Sequence, residues 1–163
     1  MAKQTTIEIN SFSNPKVKHL IKLKEKRYRD KEKQFTIEGF REIQRAVNSK
    51  KITFLSIFIS PEYFIGKNEN MLIEKINTLT FLLPRKIFDK ISYRDRPDGL
   101  IALCESPDFT LDFSMELKGD FTVIIEGVEK PGNLGTIIRT AEGSGVSSLI
   151  ISDPRIDILN PNV

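Results

Sequence analysis

The apolar run Phe121-Thr122-Val123-Ile124-Ile125 ends in an acidic residue, Glu126, and is followed by Gly127, Pro131, Gly132, Asn133 and Gly135 within ten residues. A helical pattern starts near Asn133, and a second apolar run, Leu149-Ile150-Ile151, lies at the centre of Ser147–Ser152. This order predicts a buried strand, a tight turn built from Pro131, Gly132, Asn133 and Gly135, a helix, and another strand. Such a unit belongs to α/β folds, which often place binding and catalytic groups where a strand end meets a helix start.

The preceding residues read in the same class. Residues 1–12 are expected to be an extended lead-in. Ser13-Asn14-Pro15 looks like a helix start, with a polar cap and Pro in the first helical position. Val17, Leu20, Ile21, Lys24 and Tyr28 then fall at helical spacing, and the other faces carry Lys16, Lys18, Lys22, Lys26, Arg27, Arg29, Lys31 and Lys33. One amphipathic helix with a basic outer side is predicted. Gln34–Glu38 alternates like a strand, residues 40–49 read as a helix, Ile52–Ser60 as a strand, 69–77 as a helix, Leu79–Leu83 as a strand, the residues after Pro84 as a helix and Leu100–Glu105 as a strand. Strands separated by short helices argue for an α/β sandwich. Residues 106–119, with Pro107, Asp108, Asp112, Ser114 and Gly119, form the best linker, which predicts domains at 1–105 and 120–163.

Charge divides the chain along the same line. Residues 1–50 hold 13 Lys/Arg against 6 Asp/Glu, while the chain as a whole has a net charge of only +3. A basic third on a slightly acidic body fits a polyanionic partner, and equally a solvated helix face. Basic side chains at this density neutralise backbone phosphates in a salt-sensitive, sequence-blind way. No apolar run approaches the roughly 18–20 residues of a membrane helix, and polar residues break up any signal-peptide core. The single cysteine, Cys104, excludes an internal disulfide framework, fits a reducing cytoplasm, and reads as a buried structural thiol.

The spacing Asn133-x-Gly135-x-x-x-Arg139-x-Ala141, with a strand before it and Gly145-Val146 and a strand after it, resembles motif 1 of the SpoU-type (TrmH-like) RNA 2′-O-ribose methyltransferases of the SPOUT superfamily. Ser11–Lys18, Phe35-Thr36-Ile37-Glu38-Gly39 and Pro97–Ala102 resemble, in order, the opening helix, first strand end and last strand of that family's substrate-binding domain. Asp98 departs from the Gln or His more usual there. The resemblance implies an N-terminal α/β RNA-binding sandwich followed by the first part of a knotted α/β SPOUT domain. It also implies methyl transfer from S-adenosylmethionine to a ribose 2′-hydroxyl of tRNA or rRNA, a homodimer and a cytoplasmic enzyme. Arg139 is implied as the central catalytic residue, with Asn133 helping to place the RNA. The candidate RNA-binding residues are Lys16, Lys18, Lys22, Lys26, Arg27 and Arg29.

A guanidinium suits phosphate anchoring because its planar fork matches phosphate oxygens. As a general base it strains the chemistry, since its pKa lies above about 12. Other roles stand beside these. Asn133 would serve as a helix N-cap, Gly135 would permit close helix packing, and Arg139 would pair with Glu142 or Glu129 on the surface. Glu38-Gly39 would be a strand-to-helix turn or an RNA-facing edge, and Arg94-Asp95-Arg96 a solvated or RNA-contacting loop. The family's donor site lies in motifs 2 and 3, which are expected to follow an Asn-Pro-Asn-Val such as residues 160–163; these 163 residues are therefore expected to bind the donor poorly. Two rivals remain at this level: a non-enzymatic RNA-binding module in residues 1–105, and an unrelated α/β domain taking a phosphate compound at Gly132–Gly135. No metal site and no Rossmann-type glycine fingerprint is read.

Overall fold

The computed structural model describes residues 5–110, 117, 119–152 and 155–163. The chain divides into two compact units, Met1–Pro107 and Asp108–Val163. Residues 111–116 and 118, the middle of the expected linker, lie outside the described residues, as do 1–4, 153 and 154.

The first unit is built on a five-stranded sheet. Its strands are β1 (Thr6–Glu8), β2 (Gln34–Glu38), β3 (Phe54–Ile59), β4 (Leu79–Leu82) and β5 (Leu100–Glu105), in the spatial order β1-β4-β3-β5-β2. β1, β4 and β3 run parallel, while β5 and β2 are antiparallel to their neighbours. The helices are α1 (Pro15–Lys22), α2 (Lys26–Glu32), α3 (Phe40–Ser49), α4 (Asn68–Ile76) and α5 (Arg85–Ile91).

The period-2 alternation of the strands divides the core between the two sheet faces. Phe58, Phe81, Ile101 and Leu103 join Val17, Leu20, Ile87, Phe88 and Ile91 in a cluster under α1 and α5. The intervening Ile57, Ala102 and Cys104 are buried outside it, and α3 and α4, which pack on each other, bring the buried Ile43, Leu72 and Ile73. This is the expected α/β class, with helices on both faces of the sheet.

Three expectations change. The lead-in is not merely extended, because Thr6–Glu8 pairs with β4. The single long basic helix is two helices, α1 and α2, separated at Leu23–Glu25. Arg29 is the reason, and its placement on the outer side is overturned: it is only 3% exposed. Its guanidinium donates to the carbonyls of Leu23 at 2.6 Å and Lys24 at 2.8 Å, satisfying carbonyls that the end of a helix leaves without partners. Lys24 also turns inward, donating to the carbonyls of Lys90 and Ser92, and burial lowers its pKa. Arg29→Ala should therefore destabilise the protein by about 2–3 kcal/mol in urea unfolding. Exposed Arg27→Ala should stay within about 0.5 kcal/mol.

Cys104 is fully buried, and desolvation pushes its thiol up from 9.0 to about 12. The folded thiol stays protonated while the unfolded one ionises above its ordinary value. Stability from this group is thus complete below pH 9.0 and is lost as pH climbs toward about 12. The slope reaches about 1.4 kcal/mol per pH unit. Cys104→Ala should remove this component, read as the difference between parent and variant unfolding free energies at successive alkaline pH values.

The second unit contains β6 (Thr122–Glu126), α6 (Pro131–Gly143) and β7 (Ser148–Ser152), with β6 and β7 parallel from Thr122↔Ser148 to Glu126↔Ser152. Leu134, Gly135 and Ile156 are buried, whereas Ile124 is 67% exposed. One two-stranded sheet and one helix leave much of the strands' apolar surface uncovered.

Candidate active site and nucleic-acid interface

The turn after β6 begins earlier than its glycines and proline suggest. Gly127 takes φ 65°, a left-handed conformation that favours glycine, and the helix then starts at Pro131. Pro suits that first position because its ring presets φ and the missing N–H has no helical partner there. Asn133 therefore sits inside the first helical turn, with its backbone N–H on the carbonyl of Lys130 at 3.0 Å. It is not the N-cap, and its exposed side chain is left for other work.

Asn133, Thr136 and Arg139 are spaced by three, so at about 100° per residue they form a slanting row across roughly 120° of the helix surface. All three are exposed. Thr136 Oγ1 donates to the Gly132 carbonyl at 2.8 Å and accepts from Arg139 Nη2 at 3.4 Å. Arg139 Nη1 donates to the Val163 carbonyl at 3.2 Å. No carboxylate pairs with Arg139 among the described residues. Glu129, one surface partner expected for it, pairs instead with Arg155 at 2.9 Å.

The Val163 carbonyl reaches Arg139 because Gly135 has no side chain. A Cβ built there would lie 1.9 Å from the Val163 oxygen and 3.0 Å from Arg139 Nη1. The approach is set by consecutive turns: Asn160 N–H on the Asp157 carbonyl, Asn162 N–H on Asn160 Oδ1 and Val163 N–H on the Asn160 carbonyl, each at 2.9 Å. The sequence reading missed Thr136 and the Val163 carbonyl. The three-residue spacing would have pointed to Thr136, but a backbone oxygen leaves no signature in side-chain identity.

In the first unit, Lys16, Lys18 and Lys22 stand exposed on α1. Lys26 and Arg27 are exposed but paired, with Asp30 at 2.6 Å and Glu25 at 2.8 Å. Lys26's hydrogen bond lowers the pKa of Asp30. Lys22 and Arg27 both flank the Tyr28 ring. Arg29 is withdrawn from the surface, as described above.

The Glu38-Gly39 turn is held from within. Glu38 accepts from Ser92 Oγ and from the Tyr93 N–H at 2.7 Å. Asp98 accepts the Phe40 N–H at 2.7 Å, and Arg94 pairs with Glu42 at 2.8 Å. Gly39 is at φ 108°, and a Cβ there would meet the Arg94 guanidinium at 2.4 Å. Glu38 is the last residue of β2 rather than part of the first turn of α3.

Comparison with known proteins gives two family matches. Residues 14–102 match the MRM3-like substrate binding domain, and residues 120–163 match the SpoU rRNA Methylase family. The 23S rRNA (guanosine(2553)-2′-O)-methyltransferase RlmP of Bacillus subtilis (strain 168) is 28% identical over 155 residues, covering 94% of this chain and 57% of that protein. The mitochondrial rRNA methyltransferase 3 of Homo sapiens is 26% identical over 151 residues, covering 86% of this chain and 34% of that protein. A crystal structure of an RNA 2′-O ribose methyltransferase superposes with a TM-score of 0.78 at 32% identity, covering 96% of this chain and 59% of that one. An AdoMet-bound rRNA methyltransferase from Sinorhizobium meliloti shares the fold, with a TM-score of 0.80 at 24% identity over 96% of this chain and 58% of that one. The chain thus spans little more than half the length of its bacterial relative. With a substrate-binding match over more than half of its residues and a methylase match behind it, the chain belongs to the SpoU (TrmH-like) RNA methyltransferase family.

Proposed function

We propose that the protein acts as an S-adenosylmethionine-dependent RNA 2′-O-ribose methyltransferase on rRNA or tRNA. Residues 1–105 recruit RNA, 106–119 join the domains, and 120–163 supply the RNA-facing part of the catalytic domain. The observation that carries this reading is the exposed Asn133–Thr136–Arg139 row on the helix after β6, whose guanidinium has no carboxylate partner among the described residues. The guanidinium is held near Thr136 and the Val163 backbone oxygen, and its planar fork suits a phosphate. Holding that phosphate fixes the neighbouring 2′-hydroxyl in line for attack, and positioning of this kind supplies much of a transfer rate. Asn133, six residues or nearly two turns nearer the helix start, offers an amide to the same strand of RNA.

The S. meliloti relative binds AdoMet, and S-adenosylmethionine is the donor this reading implies. Beyond the buried Leu134, Gly135 and Ile156, the residues of β6 and β7 are half-buried or exposed. A cytoplasmic homodimer accompanies the proposal, on the strength of the family resemblance. No described helix is long and apolar enough to cross a membrane. The test is transfer of labelled methyl groups from S-adenosylmethionine to rRNA and tRNA by the longest available form of the protein, with the product mapped to a ribose 2′-oxygen. Label on a base nitrogen or carbon would contradict the reading.

A further inference from the structure

The lysines of α1 border two adjoining cavities in the first unit. One, of about 310 Å³, is lined by Lys18, Lys22, Lys31 and Tyr28 together with Glu32 and His19. The other, of about 530 Å³, has an apolar floor of Leu55, Leu79, Phe81 and Leu103, with Lys16, Gln34, Ser56 and His19 around it. Pro15, His19 and Glu32 belong to both. One chamber is thus predominantly cationic, with three lysines against one glutamate. The other is an open groove in which polar lining matches the apolar floor in extent.

Between them, His19 Nε2 and Gln34 Oε1 lie 2.7 Å apart. An amide oxygen only accepts, so Nε2 donates this bond. The second ring nitrogen of His19, Nδ1, and the two amide N–H donors of Gln34 are left for a ligand. Adjacent donors and acceptors are what the edge of a nucleobase pairs with. Lys16 Nζ stands 6.0 Å from the centroid of the Phe81 ring, placing a further cation at the rim of the apolar chamber.

We propose that these cavities are one binding site for an unpaired RNA nucleotide. Its base lies on the Leu55–Leu79–Phe81–Leu103 floor against the His19–Gln34 pair, and its phosphates lie among Lys18, Lys22 and Lys31. The inference rests on the RNA-recruiting role given to this unit and narrows it: the unit selects RNA with an unstacked base rather than a continuous duplex. Charge complementarity favours RNA over an apolar peptide, because a peptide would fill the floor and leave the exposed Lys18 and Lys22 without an anion, whereas Lys31 already lies 3.9 Å from Glu32. A base with its phosphates uses both chambers. Unpaired, splayed bases are also the usual targets of sequence-sensitive RNA recognition.

Binding of the 163-residue protein to an oligouridine RNA and to an RNA duplex, measured by fluorescence anisotropy across a salt series, tests this without any methyl transfer. Lys18→Ala/Lys22→Ala should weaken both RNAs and lower the salt slope for oligouridine by about 1.4. His19→Ala and Gln34→Ala should each weaken oligouridine binding roughly tenfold while moving duplex binding less than about twofold. A 4-thiouridine probe should cross-link to the peptides carrying Leu55 or Leu79–Phe81. If either groove variant unfolds, exposed Lys16→Ala replaces it, with the same preference for the unpaired RNA expected. Equal effects on both RNAs, or none while the lysine variant still weakens binding, would overturn the site, make its floor a protein-contact surface, and leave RNA recruitment standing. If the lysine variant also binds like the parent, RNA recruitment by this unit fails with it.

Discussion

Arg139→Ala should lower the rate of methyl transfer to RNA by roughly 100- to 1000-fold, the usual effect of removing one preorganised charge-stabilising donor. The loss should fall on the rate with saturating RNA and far less on RNA affinity, if the lysines of the first unit carry the salt-dependent binding as proposed. The guanidinium is already aimed before RNA arrives, with Nη1 on the Val163 carbonyl and Nη2 on Thr136. Part of its ordering entropy is thus spent in folding rather than in binding. Arg139→Lys should recover only a small part of the rate, because an ammonium keeps the charge but lacks the fork that engages a phosphate and a carbonyl together. Single-turnover assays with labelled donor separate these effects. An unchanged rate in Arg139→Ala would remove α6 from the active site.

Gly135→Ala should reduce the same rate about a hundredfold, the scale set by a misplacement of about 1 Å at a reacting group. In an ordinary helix interior this change is favourable by about 1 kcal/mol, because Ala is the better helix former. Here the new methyl group would sit 1.9 Å from the Val163 oxygen and 2.9 Å from its carbonyl carbon. Both are backbone atoms of the last residue described. The 160–163 turn must therefore withdraw, and Arg139 loses an anchor. The measurable signature is a fall in kcat with a nearly constant KM for RNA, accompanied by shifted backbone amide resonances for Asn160, Asn162 and Val163. A variant that is stabilised and keeps its full rate would show that the close approach has no catalytic consequence.

These outcomes depend on features that were unequally legible in the sequence. The α/β class, five of the seven described strands to within a residue or so at each end, helices α3, α4 and α5, and α6 apart from its start followed from apolar periodicity and glycine–proline punctuation. The helix break at Leu23 did not, because Arg29 resembles any other cation in a basic run until its guanidinium is seen on the Leu23 carbonyl. Asn133 was expected at the cap because asparagine favours that position, but Pro131 outweighed it by opening the helix two residues earlier. The groove beside His19 was illegible for a different reason. It joins residues from α1, β2, β3, β4 and β5, and only the sheet order brings these together.

The outermost strand carries a last consequence. β1 is three exposed residues long, yet it caps the rim of β4, with Thr6 opposite Thr80 and Glu8 opposite Leu82. Without it, the backbone of β4 would offer a free row of amides and carbonyls beside the largely apolar Leu79–Leu82, the kind of border along which separate molecules zip together into aggregates. A short ribbon bearing threonine and glutamate closes that border and is itself a poor template for further growth. Proteolytic trimming of those few residues should therefore show up first as turbidity on storage.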